Sequence, residues 1–416
     1  MKTRRPQART LLHAVLLVSL LLVPVAAGPA SSPAAGRVVA VADVHGAYEE
    51  FVAILHDVGL INDQRGWAGG AATFVQTGDV VDRGERTREC LDLLMDLERQ
   101  APGNGGTVIP LLGNHEVMNL IGDLRFVTKG IFQTFATEVS DQRREQAYKE
   151  YLAFLARHEG HGHAVAPPAD GDARRSWMDE HPPGFFEHRD AFAPDGKYGR
   201  WIRAHHGVVQ VGDGLFVHGG LSPALEFGTV RELDERVMAD LTAFDAMWKA
   251  LVDAGVVWRY MTFGEAVRFA SEELTWRQTE GPVGVFEARP AVIRLLGYKT
   301  WVTVSADGPL WYRGLAIEPE DKLASGLKAM LDRLGAAYIV SGHSVVAGKA
   351  VTTRFESRVF LIDTGMLGAV YAGRASALGI QDGRFVAYQA GGTPRELPPP
   401  PGVKSATPGA GQAAVR

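Results

Sequence analysis

Six short apolar runs, each ending in a polar loop that contains glycine, are the feature that most limits how this chain can fold. Helical patterns over residues 48–58 and from about 86 to 98 separate the first runs. Continuous apolar runs that alternate with helices are typical of strands buried on both faces by helices, so the sequence predicts an α/β fold. The runs occupy residues 37–46, 72–84, 107–116, 214–222, 337–344 and 359–365.

Two longer segments, residues 117–205 and 223–300, do not follow this alternation. Each contains apolar residues at helical spacing, as Leu233, Val237 and Leu241 do in the second segment. We therefore expect two helical insertions that pack over or beside the sheet and shape access to its polar end.

The polar side chains at the strand ends form a chemically related set. Ligands of open α/β sheets bind outside the carboxyl ends of the strands, so these side chains should meet at one end of one sheet. Carboxylates and imidazoles are ligands that Mn, Fe and Zn share. The set comprises Asp43, His45, Asp79, Asp82, Arg83, Asn114, His115, His218 and His343.

Asp79 is the residue that could join two metal ions. It stands between an Asp/His pair and a group of one Asn and two His residues, and a bridging carboxylate holds two cations about 3.5–4 Å apart. Asn114 can ligate through its amide oxygen without adding charge, whereas His115 would face a substrate. Each residue alone has an ordinary structural explanation, but the whole set in order predicts a metal centre.

Two other features suggest chemistry, and we interpret both as structural. The histidines of HEGHGH (158–163) could bind a metal, but a Gly/Pro-rich loop follows them, so we expect a solvated loop. Cys90 is the only cysteine, and we predict that it is a core residue of a helix. It is not the nucleophile of a Cys-x5-Arg phosphatase loop, because Asp96 occupies the arginine position.

The motifs together resemble those of the calcineurin-like metallophosphoesterases, and most closely the phosphoprotein-phosphatase branch. Three further stretches, LFVHGGLS (215–222), GPLWYRG (308–314) and LIDTGM (361–366), make the Shewanella-like phosphatases the best match. Ala42 stands where the family usually has glycine, but the ligands Asp43 and His45 are intact. The resembling region covers residues 37–390. The other motifs are ADVHG (42–46), GDVVDRG (78–84), GNHE (113–116) and SGHS (341–344).

The resemblance implies a β-sandwich core flanked by helices and a centre of two divalent metal ions, Mn²⁺ first, with Fe or Zn as alternatives. Asp79 would ligate both ions. The other ligands would be Asp43 and His45 for one ion and Asn114, His218 and His343 for the second.

The resemblance also implies roles for four further residues. His115 would protonate the departing oxygen, and Asp82 would orient that imidazole. Arg83 would bind phosphate oxygens in bidentate fashion, with Arg313 as a second phosphate-binding arginine.

The implied reaction is hydrolysis of phosphomonoesters by attack of a metal-bound hydroxide, on phosphorylated proteins or peptides, with phosphotyrosine favoured. One alternative is a symmetrical dinucleoside tetraphosphate hydrolase, which shares these motifs, although GNHE and HGGLS favour the phosphatase. A second alternative is a binding protein that has kept the fold and lost catalysis, but the complete ligand set argues against it.

The two ends of the chain differ from its middle. Residues 1–27 combine basic residues, an apolar run and the small residues Val25, Ala26 and Ala27, which is the layout of a signal peptide. We therefore expect export to the periplasm or the medium, with no stable membrane insertion after cleavage; an uncleaved anchor is the alternative. Cleavage would leave 39 basic against 48 acidic residues, a net charge of −9, which does not favour nucleic-acid binding. Residues 391–416 are rich in Pro, Gly and Ala and predict a disordered tail.

Overall fold

The computed structural model describes residues 36–161, 163, 171–281 and 285–404. The predicted signal peptide and the last residues of the predicted tail lie outside this part of the chain. The strands are β1 (Val38–Val41), β2 (Thr73–Gln76), β3 (Thr107–Pro110), β4 (Val208–Val211), β5 (Gly214–Val217), β6 (Tyr338–Ser341), β7 (Thr352–Arg354), β8 (Val359–Leu361), β9 (Ser376–Gln381), β10 (Arg384–Gln389) and β11 (Arg395–Leu397).

The strands form two sheets. One has the order β11-β10-β9-β1-β2-β3, and the other has the order β4-β5-β6-β8-β7. Strands β1, β2 and β3 are parallel in the first sheet, and β5, β6 and β8 are parallel in the second. The polar strand-end residues therefore come from two sheets, and the prediction that they share one sheet is wrong.

The two sheets pack face to face around an apolar layer of their own. Val38 and Ala40 of β1 lie in this layer, whereas Val39 and Val41 belong to the larger apolar cluster that the helices complete. The stacked rings of Phe360 and Phe385, with centroids 4.7 Å apart, join the two sheets. Successive side chains point to opposite faces of a strand. Strands that are apolar on both faces are thus explained by a helix layer on one side and a second sheet on the other, rather than by helices on both sides.

Helices cover the outer faces and build the two predicted insertions. Helices α1 and α2 follow β1 and β2 as expected, α3 to α8 lie at 114–202, and α9 to α11 lie at 230–296. The bounds are α1 (Tyr48–Asp57), α2 (Thr87–Gln100), α3 (Asn114–Ile121), α4 (Lys129–Phe135), α5 (Ser140–Ala156), α6 (Gly171–Glu180), α7 (Phe185–Ala191), α8 (Lys197–Ile202), α9 (Val230–Asp253), α10 (Phe263–Thr279), α11 (Arg289–Leu296), α12 (Gly314–Ile317), α13 (Glu320–Leu334) and α14 (Gly368–Tyr371).

The ordered chain extends beyond the predicted boundary at residue 390. Strand β11 pairs antiparallel with β10, and Leu397 is buried beside Phe385. The predicted tail therefore includes an edge strand of the first sheet. Among the helices of the described residues, none is both long enough and apolar enough to cross a bilayer.

Candidate metal centre and active site

The ends of five parallel strands supply the predicted residues of the polar cluster. Asp43, Asp79 and Asn114 follow β1, β2 and β3, and His218 and His343 follow β5 and β6. The carboxyl ends of parallel strands in both sheets thus point toward one region. The packing of the two sheets brings together residues that are up to 300 positions apart, as in the bond from the His343 N–H to Asp43 Oδ1 (2.9 Å).

The backbone in this region is unusual. Five non-glycine residues of the set have φ between 47° and 71°, in the left-handed region that residues with a Cβ rarely adopt. Such conformations persist where the surrounding structure imposes them, and they cluster at functional sites. Gly113 allows the backbone after β3 to come close to the Asp79 side chain, because a Cβ at residue 113 would lie only 2.2 Å from Asp79 Oδ1. The five residues are His45, Asp79, Asp82, Arg83 and His343.

Glu116 explains how the strand-end loops are held. The backbone N–H groups of Asp79, Val80 and Gly113 donate to its carboxylate over 2.7, 2.8 and 2.8 Å. The side chain therefore fixes the loop after β2 to the loop after β3. Sequence reasoning assigned no role to Glu116, although its place in GNHE, next to the ligand candidates, was the available signal.

Replacing this carboxylate should destabilise the protein. Glu116→Gln keeps one acceptor oxygen but turns an NH₂ group toward backbone donors, so we expect the free energy of unfolding to fall by about 2–4 kcal/mol. Urea denaturation measures the change. The exposed Glu138 provides the matched control, and Glu138→Gln should change stability by less than about 0.5 kcal/mol. Equal stability of the two variants would contradict the bracing role of Glu116.

Asp79 lies at the middle of the cluster and is 2% exposed. Its Oδ2 is 3.3 Å from His218 Nε2, 3.6 Å from His45 Nε2 and 3.8 Å from His115 Nε2. Its other oxygen, Oδ1, accepts the backbone N–H of His115 over 2.9 Å. Two groups of potential ligands therefore share Asp79: one with His45 and His115, the other with His218 and His343.

The remaining predicted ligands surround these groups. His218 Nε2 is 2.9 Å from Asn114 Oδ1 and 3.1 Å from His343 Nδ1. On the other side of Asp79, Asp43 Oδ2 lies 3.9 Å from His45 Nε2. The structure thus brings all six predicted ligand residues together around one carboxylate.

The imidazole rings are oriented as metal ligands require. His45 Nδ1 donates to the Val81 carbonyl oxygen and His218 Nδ1 donates to that of Thr77, each over 2.9 Å. These bonds place the ring proton on Nδ1 and leave Nε2, which faces Asp79, free to donate a lone pair. The donor set and its orientation fit divalent cations.

The electrostatics of the cluster also favour bound cations. Burial raises the pKa of Asp43, and the charge of Asp363 raises it further. Burial opposes ionisation of Asp79 too, but the charges of His218 and His115 outweigh it and hold the pKa of Asp79 well below its usual range. Burial lowers the pKa of His45 to about 3. Burial opposes protonation of His218, but Asp79 and Asp43 outweigh it and raise the pKa of His218 to about 9. The buried acids thus hold a positive charge on His218, a charge that metal ions would supply instead.

Asp363 extends the cluster and was not selected from the sequence. It is buried two residues after β8, its Oδ1 accepts the Gly365 N–H over 2.9 Å, and burial raises its pKa to about 6. Its position in the sequence could have identified it as a site residue, because it ends an apolar run in the same way as Asp43.

His115 is held by a buried carboxylate. Its Nδ1 lies 2.7 Å from Asp82 Oδ2, and the Asn119 amide donates to Asp82 Oδ1 over 2.8 Å. Burial opposes protonation of His115, but Asp79 and Asp82 outweigh this effect and raise its pKa. The ring therefore has a fixed orientation, with Nε2 directed into the cluster. Asn119 was missed in the sequence, although it lies one helical turn after His115 on α3.

Arg83 lies between two aromatic rings. Its guanidinium carbon is 4.4 Å from the centre of the Phe126 ring and 5.4 Å from that of Tyr371. Its Nε is buried without a hydrogen-bond partner among the described residues. Arg83 is thus positioned by packing and retains donors for an anion. No sequence pattern indicated that Phe126 would contact Arg83. For Tyr371 the only indication was its position shortly after LIDTGM.

Arg313 also reaches the cluster, but it binds protein atoms there. Its Nη1 donates to the His343 carbonyl oxygen over 2.8 Å and to Ser344 Oγ over 3.1 Å. It therefore braces the His343 loop. Cys90 is buried in α2, as expected, and burial raises the pKa of its thiol.

The protein has a two-sheet α/β core in which two His/Asp groups share the Asp79 carboxylate. These features place it in the class of metallophosphoesterase folds. The family model for calcineurin-like phosphoesterases matches residues 36–347, and the chain belongs to this family. The expected fold and family resemblance are thereby confirmed.

Several known proteins are similar to this chain. An uncharacterized protein of Schizosaccharomyces pombe is 25% identical over 82% of this chain and 76% of its own length. Shewanella-like protein phosphatase 2 of Arabidopsis thaliana is 32% identical over 50% of this chain and 52% of its own length, so the match spans about half of that relative. Structures of a cold-active protein tyrosine phosphatase, one from a psychrophilic Shewanella species, match with TM-scores of 0.51–0.55 at 22–23% identity, over 87% of this chain and 79–80% of theirs. These structures support the fold.

Proposed function

We propose that the protein is a phosphomonoesterase that uses two divalent metal ions and acts on phosphorylated proteins. The observation that carries this proposal is the position of Asp79, whose carboxylate faces His45 on one side and His218 on the other. Two cations bound there would supply the charge that activates a water and polarises the phosphoryl group. Mn²⁺ is the proposed ion, with Fe or Zn as alternatives.

The ligands proposed for the two ions follow the two sides of Asp79. Asp43, His45 and Asp79 would hold one ion. The second would bind between Asp79, Asn114, His218 and His343. Atoms of the other three residues lie 2.9–3.3 Å from His218 Nε2.

The residues beside the ligands have separate tasks in this proposal. His115 protonates the leaving oxygen through Nε2, while Asp82 keeps the ring proton on Nδ1. Arg83 binds the phosphate, because its guanidinium is held between two rings and has an unused donor. Arg313 acts mainly by positioning His343, since its Nη1 is already engaged there.

Protein substrates, with phosphotyrosine preferred, are the finer part of the proposal. The Arabidopsis relative is named as a protein phosphatase. Phe126, from the first insertion, and Tyr371 form apolar walls beside Arg83, and Phe126 lies 4.9 Å from the His115 ring. Such walls suit a phenyl ring whose phosphate projects far from the peptide backbone. Trp311 also has a ring near the centre, 6.0 Å from that of His343, whereas the Trp201 indole lies elsewhere and donates to Glu98.

We expect kcat/KM for a phosphotyrosine peptide to exceed that for the matching phosphoserine peptide by at least about tenfold, or roughly 1.4 kcal/mol at the transition state. Steady-state kinetics with identical flanking residues and saturating Mn²⁺ measure the ratio. Phe126→Ala should reduce the phosphotyrosine rate more than the phosphoserine rate, whereas Trp201→Phe should leave the ratio unchanged. Equal rates for the two peptides would reject the role of the aromatic walls.

The dinucleotide hydrolase remains the competing activity. Diadenosine tetraphosphate in the same assay separates the two, and a clear preference for it would replace the protein-phosphatase assignment. We also propose export from the cytoplasm, a proposal supported by the signal-peptide pattern of residues 1–27.

A further inference from the structure

The three histidines of HEGHGH pack against a helix, contrary to the expectation of a solvated loop. They follow α5 and face α10, a helix of the other insertion. The His163 side chain is 3% exposed and that of Glu273 is 2% exposed. His161 stacks on Trp276 and His163 stacks on Phe269, with ring centroids 3.6 and 3.7 Å apart. The histidines are therefore held in place by contacts with α10.

The potential ligand atoms of this segment converge on one carboxylate oxygen. Glu273 Oε2 lies 3.1 Å from His161 Nδ1 and 3.2 Å from His163 Nε2. His158 adds a third imidazole, since ligand atoms of His158, His161 and Glu273 all lie within 4.8 Å of one another. Two imidazoles and a carboxylate thus meet between the two insertions, and His163 contacts the same oxygen of Glu273.

The other polar atoms of His158, His163 and Glu273 that the structure pairs lie on the outer side of the cluster. His158 Nδ1 donates to the Phe154 carbonyl oxygen over 2.9 Å, and His163 Nδ1 lies 3.2 Å from Glu272 Oε2. Arg277 Nε donates to Glu273 Oε1 over 2.8 Å. Metal-bound histidines and carboxylates usually have such outer hydrogen bonds, which fix the tautomer and leave the inner atom for the metal.

We propose that His158, His161 and Glu273 form a binding site for a transition-metal ion, with Zn²⁺ as the best match and His163 as a neighbouring imidazole, separate from the phosphatase centre. Tetrahedral zinc has bonds of about 2.0–2.2 Å to nitrogen and oxygen, which place donor atoms roughly 3.3 Å apart. The 3.1 and 3.2 Å separations around Glu273 Oε2 are close to this value. The ion would join the end of α5 to α10 and so hold the two insertions together.

The number of bound metal ions tests this site directly. Full-length protein and His158→Ala/His161→Ala protein are dialysed against Zn²⁺, and metal per chain is measured by mass spectrometry. We expect the wild type to retain one more Zn²⁺ per chain than the double variant. His56→Ala, which removes an exposed imidazole paired with Asp63, should match the wild type. Hydrolysis of p-nitrophenyl phosphate by the double variant shows that it is folded.

Equal zinc content in the wild type and the folded double variant would overturn the proposal. If the double variant does not fold, anomalous diffraction at the zinc edge from wild-type crystals decides the question. A peak among His158, His161 and Glu273 supports the site, and its absence while the Asp79 centre holds zinc refutes it. Because the site is separate from Asp79, either result leaves the proposed phosphatase activity untouched.

Discussion

Prolonged chelation of the purified protein is expected to abolish phosphate ester hydrolysis, and added Mn²⁺ is expected to restore it. Asp79 contributes to both sides of the cluster, with Oδ2 within 3.6 Å of ring nitrogens of His45 and His218. Asp79→Asn removes the shared charge and should lower kcat by on the order of 10³-fold, because metal catalysis supplies several kcal/mol of transition-state stabilisation. Hydrolysis of p-nitrophenyl phosphate, combined with metal analysis, measures both effects.

Asp57→Asn is the matched control for that substitution. Asp57 is an exposed carboxylate at the end of α1, and its variant should retain wild-type activity and metal content. Metal analysis also separates the phosphatase centre from the proposed zinc site between α5 and α10. Asp79→Asn should reduce the metal content of the phosphatase centre and leave the ion between α5 and α10 in place. Full turnover by a demonstrably metal-free preparation would refute the proposed mechanism.

His115→Asn should lower kcat by roughly 10²–10⁴-fold, the usual scale for a positioned general acid, without releasing metal. The loss should shrink with p-nitrophenyl phosphate, because a good leaving group needs little protonation. Asp82→Asn should produce a smaller loss with the same dependence on the leaving group, since Asp82 acts through the 2.7 Å contact with His115 Nδ1. A leaving-group series with parallel metal analysis provides the measurement.

Two results would count against this assignment. A loss of equal size across the leaving-group series would show that His115 does not supply the departing proton. A variant that loses metal would instead make His115 a ligand, a possibility that its 3.8 Å distance from Asp79 Oδ2 makes worth checking. His206→Asn, at an exposed imidazole paired with Asp234, controls for general effects of the substitution.

The local structure of this protein could be read from its residues. The apolar runs before Asp43, Asp79 and Asn114 are strands, and α1 and α2 lie within about two residues of their predicted bounds. The candidate centre was found because its residues stand at strand ends, where short motifs carry them. Periodicity and motif spacing report on neighbours within a few residues, so these features were accessible without coordinates.

Only the tertiary structure could show what each buried face contacts. The pattern of β1 is the same whether helices or a second sheet cover it, so the division into two sheets was not visible in that pattern and was implied only by the family resemblance. The same limit applies to the aromatic walls of Arg83 and to the contacts of His161 and His163 with Glu273, which join residues about 40 to 290 positions apart. The sequence by itself determined the six strands of the apolar runs, the first helices and the residue types of the centre. Long-range packing decided which of those residues meet, because contact between distant segments depends on the arrangement of the whole core.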